Sequence, residues 1–312
     1  MSKKQADLSR YLNLFTDFAF KWVFGRIQNK DILIDFLNTV LEGEQRIVDL
    51  EFQNSERLGM EHDDRKVAFD LLCQNDRGEQ IIVELQQAPQ TYFKDRALYY
   101  VSNLIQEQGI KGKWDYSLKP TYVVAILNFE IDSGTELVHR VRLHDQTTGQ
   151  TWSNSIQMVF IEVNKFKKSH EECTTHFERW LFLFSHLHRL EQMPIEFQEQ
   201  VFLHLFETAE IGRFPEVERL RYTSSLTEAE QLEEALKYAK MIAAQQGHAE
   251  GRAEGHAEGH AEGRAESLAE GENRILDIIT AMLAKGSDWD YIKAITQVDQ
   301  KAYEAMREKF QR

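Results

Sequence analysis

A chain of 312 residues can hold one sizeable domain with appendages or two small ones, and 42% hydrophobic residues with 19 Phe and 10 Tyr are enough to bury a core, which excludes a disordered protein. The formal net charge of −14 argues against a broad phosphate-binding surface, although DNA as a substrate stays open because carboxylates also gather to hold metal ions. Only two cysteines occur, Cys73 and Cys173, too few for a disulfide framework and too far apart for a metal ribbon, which fits reduced thiols in a cytoplasmic protein.

The polar start MSKKQADLSRY carries no signal-peptide pattern, and no run reaches the ~18 apolar residues of a membrane span, so no membrane partner is expected. In chain order, Thr16 is placed to cap a helix from Asp17 to Phe24 that Gly25 closes. Leu33, Phe36, Leu37, Val40 and Leu41 mark the apolar face of a second helix. Three strands are predicted over Arg46–Phe52, Lys66–Gln74 and Gln80–Gln86, the last two joined through Asn75-Asp76-Arg77-Gly78 as a β-hairpin. A helix follows from Thr91 to about Gln108, with Phe93, Ala97, Val101 and Leu104 as its stripe. The apolar run Thr121–Leu127 reads as a buried strand, and segments near Leu137–Leu143 and Ile156–Val163 complete a mixed sheet. From Ser169 to Ala244 the pattern is helical, with an almost wholly apolar stretch at Phe177–Leu190 and breaks at Pro194 and Pro215, as expected of a cap on the first region.

Residues 247–270 repeat as GHAE, GRAE, GHAE, GHAE, GRAE and SLAE. Each glycine costs a helix about 0.8–1 kcal/mol relative to alanine, and a period of four sets like charges beside one another, so an isolated helix here is unstable. Paired with a second helix, the glycines permit close approach and a His/Arg row can face a Glu row. The expected partner is a second copy, giving a homo-oligomer, against the plainer alternative of a solvated linker. Leu226–Glu272 holds 11 Glu against four Lys or Arg, so half of the net negative charge lies in this one stretch. The tail from Asn273 suggests two or three short helices around Gly286-Ser287, more simply a helical hairpin than a helix-turn-helix. The expected divisions are therefore 1–168, 169–245, 246–272 and 273–312.

Chemistry concentrates on Asp70 in KVAFDLLCQN and on Glu84 and Gln86 in IIVELQQ. Strand alternation puts Glu84 and Gln86 on one side of their strand, and the tight turn brings Asp70 beside them. Two carboxylates among apolar neighbours repel and are desolvated, and a divalent cation relieves both costs. Mg2+ suits such oxygen ligands. Spacing alone leaves the matter open, because paired carboxylates on successive strands are often solvent-facing.

The strings FTDFAFKWVFG, NKDILIDFLNTVL, KVAFDLLCQNDRGEQIIVELQQ, FKDRALYYVSNL and KPTYVVAILNF together resemble the recombination-promoting nuclease family, which belongs to the PD-(D/E)xK superfamily of nucleases and transposases. The likeness spans about residues 14–130 in order and spacing. It implies a restriction-endonuclease-like α/β mixed-sheet core with flanking helices, followed by the helical cap and a helical C-terminal tail. It also implies magnesium-dependent DNA cleavage linked to recombination or transposition. On that likeness Asp70, Glu84 and the Leu85 backbone carbonyl hold Mg2+, for which Mn2+ can substitute, and Gln86 positions water. Phe69 stands where the broader superfamily has proline and Gln86 where it has lysine, so the rate is expected to be modest. Lys21 of the D-x-x-F-K string reads either as an i,i+4 partner of Asp17 or as the missing positive charge. Arg96 and Tyr100 match the family's R-x3-Y, as phosphate contacts or as a surface pair, and Arg65 is a weaker phosphate candidate. The rival expectations are an inactive, DNA-associated oligomerising module of the same fold, and a defence nuclease sharing the chemistry.

Overall fold

The computed structural model describes residues 9–43, 46–54, 56–57, 67–109 and 114–310. The chain divides into two units, Met1–Leu236 and Lys237–Arg312. In the first, helices α1 (Asp17–Phe24) and α2 (Lys30–Val40) precede strands β1 (Leu50–Phe52), β2 (Glu56–Arg57), β3 (Val67–Ala68), β4 (Leu71–Asn75) and β5 (Gln80–Gln86). Helix α3 (Phe93–Glu107), strands β6 (Thr121–Leu127), β7 (Val138–His144) and β8 (Thr151–Glu162), and helices α4 (His176–His186) and α5 (Gln200–Ala209) follow. A mixed six-stranded sheet runs in the order β1-β4-β5-β6-β8-β7, with β5, β6 and β8 parallel and the other pairs antiparallel. β2 and β3 form a separate two-stranded ladder.

Every residue of β6 is buried, because both sheet faces are covered, as a strand at the centre of a parallel segment requires. One face carries Leu71, Cys73, Ile81, Val83, Val124 and Ile161 under α1, α2, α4 and α5. Phe20, Phe24, Phe36, Trp180 and Phe184 interlock in that layer, each burial contributing roughly 1.5–3 kcal/mol. The other face carries Leu72, Ile82, Val123, Ala125 and Phe160 under the α3 stripe of Phe93, Ala97, Val101 and Leu104.

Local signals account for the element ends. Thr16 Oγ1 accepts the Ala19 N–H at 3.2 Å, capping α1, and the Gly25 N–H closes it on the Lys21 carbonyl at 3.0 Å. Thr175 and Glu178 form a capping box on α4. The stretch Phe177–Leu190 is helical only to His186 and finishes in a 3₁₀ turn, Leu187–Arg189. β1 begins later than its apolar pattern suggests, because the Asn38 side-chain amide binds both backbone groups of Ile47, at 2.8 and 2.9 Å, in place of a neighbouring strand. β8 begins five residues earlier than predicted, since β7 pairs with it through an irregular register beyond Arg142.

Helix α6 (Glu216–Ala284) has its first turns in the first unit and contains the whole Gly-x-Ala-Glu repeat. In the second unit its last turns and helices α7 (Trp289–Thr296) and α8 (Gln300–Phe310) bury Ile279, Ile292 and Tyr303. Among the described residues no helix is long and apolar enough to cross a membrane.

Candidate active site

The strand expected from Lys66 to Gln74 is interrupted at Phe69-Asp70, and Lys66 lies outside the described residues. The physical reason lies in the carboxylates. Leu71 pairs with Val83, so Asp70 falls opposite Glu84 at the open end of the β4–β5 hairpin. There Asp70 Oδ2 accepts the Leu85 N–H at 2.7 Å, and Glu84 Oε1 accepts the Asp70 N–H at 3.3 Å. The Asp70 carboxylate thus takes the Leu85 N–H, a backbone donor that would have continued the ladder. Asp70 Oδ1 makes no hydrogen bond among the described residues, while Glu84 Oε2 accepts from Gln86 Nε2 at 3.3 Å.

By alternation from Ile82, Glu84 and Gln86 share the α3-covered face, and Glu84 is 6% exposed. Burial raises the Asp70 carboxyl above its ordinary value, opposed by the Leu85 N–H and the Lys21 charge. Burial, and then the Asp70 charge, push Glu84 up to about 8. Without a cation, one proton is therefore shared into this pair near neutral pH. The donor set is hard oxygen with a neutral amide, which fits a divalent ion such as Mg2+.

Helix α3 supplies the surroundings. Tyr100 packs edge-on against Phe69, with ring centroids 5.1 Å apart, and feels the Asp70 and Glu84 charges while burial raises its hydroxyl pKa. The Arg96 guanidinium lies over the Phe93 and Tyr100 rings at 5.7 and 5.6 Å and bonds to the Gln90 side chain. Its charge favours the ionised form of both Asp70 and Glu84. Lys21, half exposed, pairs with Asp17 at 2.7 Å, and both charges reach Asp70. Beside them α1 and the start of α6 line a groove of about 420 Å³ that includes Trp22, Arg26 and Arg221. Asp70, Glu84, Gln86, Leu85, Lys21, Arg96 and Tyr100 thus converge on one end of the hairpin, whereas Arg65 lies outside the described residues.

A second polar cluster brings together residues that no sequence motif marks. Ligand atoms of Asp132, His139 and Glu162 lie within 4.8 Å of one another. His139 Nε2 is 2.7 Å from Glu162 Oε1, and Lys165 Nζ is 2.8 Å from Glu162 Oε2 and 3.6 Å from Asp132 Oδ1. Lys165 also donates to the Gly134 carbonyl at 2.7 Å, so an ammonium already compensates the fully buried Glu162 and ties down the loop before β7. Glu162 aligns through Leu127 with Gln86, two strands away. The only hint in the sequence is a glutamate ending an apolar strand.

A mixed sheet with helices on both faces and carboxylates at a hairpin beside its parallel strands defines a restriction-endonuclease-like α/β protein. The family model described as PD-(D/E)XK nuclease family transposase matches residues 14–239, and the chain belongs to that family. Nucleases of this kind generally use divalent metal ions. No curated protein and no solved structure matches the chain.

Proposed function

We propose that this chain is a magnesium-dependent DNA endonuclease that hydrolyses phosphodiester bonds in recombination or transposition. The observation that carries the reading is the Asp70–Glu84 pair, set opposite each other on neighbouring strands and buried so that ionisation of both is disfavoured, a cost that a bound cation would relieve. Asp70, Glu84 and the Leu85 carbonyl are the proposed Mg2+ ligands, with Mn2+ as a substitute. Bound there, a divalent ion supplies Lewis-acid polarisation of the phosphodiester and a more acidic water. Gln86, whose amide already reaches Glu84, orients the attacking water. The water oxygen bonds to phosphorus as one ester P–O bond breaks, the water gives up a proton to solvent, and the departing sugar oxygen takes one up to leave as a hydroxyl. Lys21 and Arg96 steady the phosphate charge, Tyr100 braces the pair, and Arg65 is a further phosphate contact. Gln86 brings no positive charge, so turnover is modest.

The nuclease is assigned to 1–168, the helical region to 169–245, association to the 246–272 repeat and a small helical module to 273–312. Support for self-association comes from Gly247, Gly251, Gly255, Gly259 and Gly263, where an added Cβ would meet nothing within 4 Å, leaving room for a second backbone. The reading of the same fold as an inactive DNA-associated module draws on Gln86 and on the −14 charge. Supercoiled plasmid with Mg2+ separates the two. Nicking by the wild type that disappears in Asp70→Ala and Glu84→Ala is expected of the endonuclease, while equal nicking by all three proteins removes it.

A further inference from the structure

We infer that the exposed flank of α3 beside the acid pair, carrying Tyr92, Arg96, Tyr99 and Asn103, binds unpaired DNA bases. The inference rests on the nuclease reading and adds the form of DNA that the site takes.

The spacing of three and four residues places Arg96, Tyr99 and Asn103 along one side of the helix, within about 60° of each other at 3.6 residues per turn, and Tyr92 immediately precedes the helix. Each stands one residue before a member of the buried stripe Phe93, Ala97 and Leu104, or before Tyr100, about 100° around the helix, so the flank turns toward solvent with Arg96 nearest the sheet. Tyr100 borders this flank and packs edge-on against Phe69, the neighbour of Asp70, with centroids 5.1 Å apart, and Arg96 of the flank lies over the Tyr100 ring at 5.6 Å. That fixes which side of α3 the acid pair occupies. The row of aromatic, cationic and amide groups therefore passes the acid pair at Arg96, with Tyr92 before that point and Tyr99 after it.

Its two tyrosines stand open to solvent. Tyr92 is 76% exposed and Tyr99 49%, and among the described residues no ring packs on either. Tyr92 occupies the left-handed region with φ 61°, a conformation that favours glycine, at the residue immediately before α3. The ring is thereby held out at the helix start while its successor, Phe93, packs on Phe129 and Phe160 at 5.9 and 5.7 Å. Tyr99 lies about two turns further along, and its carbonyl accepts from the Asn103 amide and the Ser102 hydroxyl, each at 2.8 Å.

Flat rings offer a face to any base, and a single cation between them neutralises backbone phosphate, which is the makeup of a sequence-tolerant single-strand platform. A duplex keeps its bases stacked inside and offers these rings nothing comparable. The −14 charge agrees with that choice, because stacking contributes affinity where a wide basic track is missing.

The test uses full-length Asp70→Asn protein in EDTA, so that DNA is bound without being cut, and a labelled oligodeoxynucleotide offered single-stranded or as a duplex. Tyr92→Leu and Tyr99→Leu should each weaken single-strand binding by about five-fold or more, with little change for the duplex. Tyr92→Phe and Tyr99→Phe, which keep the ring, should bind as the Asp70→Asn parent does. Unchanged single-strand affinity in both leucine variants would overturn the platform while leaving the nuclease reading intact. A parent that binds neither form of DNA would instead overturn the nuclease reading, and the platform with it.

Discussion

Asp70 and Glu84 each grip the other's strand: the Asp70 carboxylate holds the Leu85 N–H at 2.7 Å, and the Glu84 carboxylate holds the Asp70 N–H at 3.3 Å. This reciprocal arrangement keeps the two acids together through backbone N–H groups. It aligns the pair before any cation arrives, and it makes the pair sensitive to its own charge.

That sensitivity fixes a pH dependence for metal-free protein. Glu84 sits near 8 when folded against an ordinary 4.5, raised by burial and by the Asp70 charge, so the folded state holds the proton more tightly than the unfolded one. The stabilisation is complete below about pH 4.5 and is lost as pH rises through about 8. In EDTA, Tm should fall over this window, Mg2+ should restore it at the upper end, and Glu84→Gln should remove this component of the slope. A Glu84→Gln protein with the wild-type slope would place the titration elsewhere.

Gly25 ends α1 where a Cβ would lie 2.8 Å from Leu71 Cδ2 and 2.8 Å from the Lys21 carbonyl oxygen. Leu71 follows Asp70, so pressure here reaches the acid pair directly. Gly25→Ala should cost about 1–3 kcal/mol in denaturant unfolding, as overpacking does, and should lower cleavage more than the stability loss explains. A neutral result would show that Leu71 yields freely.

Glu162 is fully buried, and its charge is compensated by Lys165, while His139 completes the cluster. Lys165→Met should therefore lower Tm, and the double variant Lys165→Met with Glu162→Gln should recover part of the loss, because the uncompensated charge goes with it. Additive losses would mean that the two residues are not coupled.

The repeat glycines distinguish a lone helix from an associating one. In a lone helix, Gly251→Ala, Gly255→Ala and Gly259→Ala should each add about 0.8–1 kcal/mol of helix stability. In a helix pair that uses their open space, the same changes should block close approach and lower the mass seen by light scattering. Deleting 247–270 should lower that mass as well. A mass unaffected by either change would remove the repeat from assembly.

What the sequence makes legible follows from how local the cause is. Thr121–Leu127 and Gln80–Gln86 match their predicted limits because a continuous apolar run and a turn at Asn75–Gly78 suffice to bound them. The α1 cap at Thr16 is equally local. The break at Asp70 is not, since it depends on carboxylates reaching the backbone of a strand some fifteen residues away. Asp132, His139, Glu162 and Lys165 meet only because β7 folds back on β8, and no short spacing signals that. Tyr92 is hidden for a different reason: nothing in its neighbours announces a left-handed residue at a helix start.

Calorimetric titration of Mg2+ into wild type, Asp70→Asn and Glu84→Gln tests the shared-cation claim most directly. One binding event in the wild type, with protons released at pH 7, is expected, and each substitution should abolish it while the fold persists by circular dichroism. Mg2+ binding that survives in both variants would contradict the account.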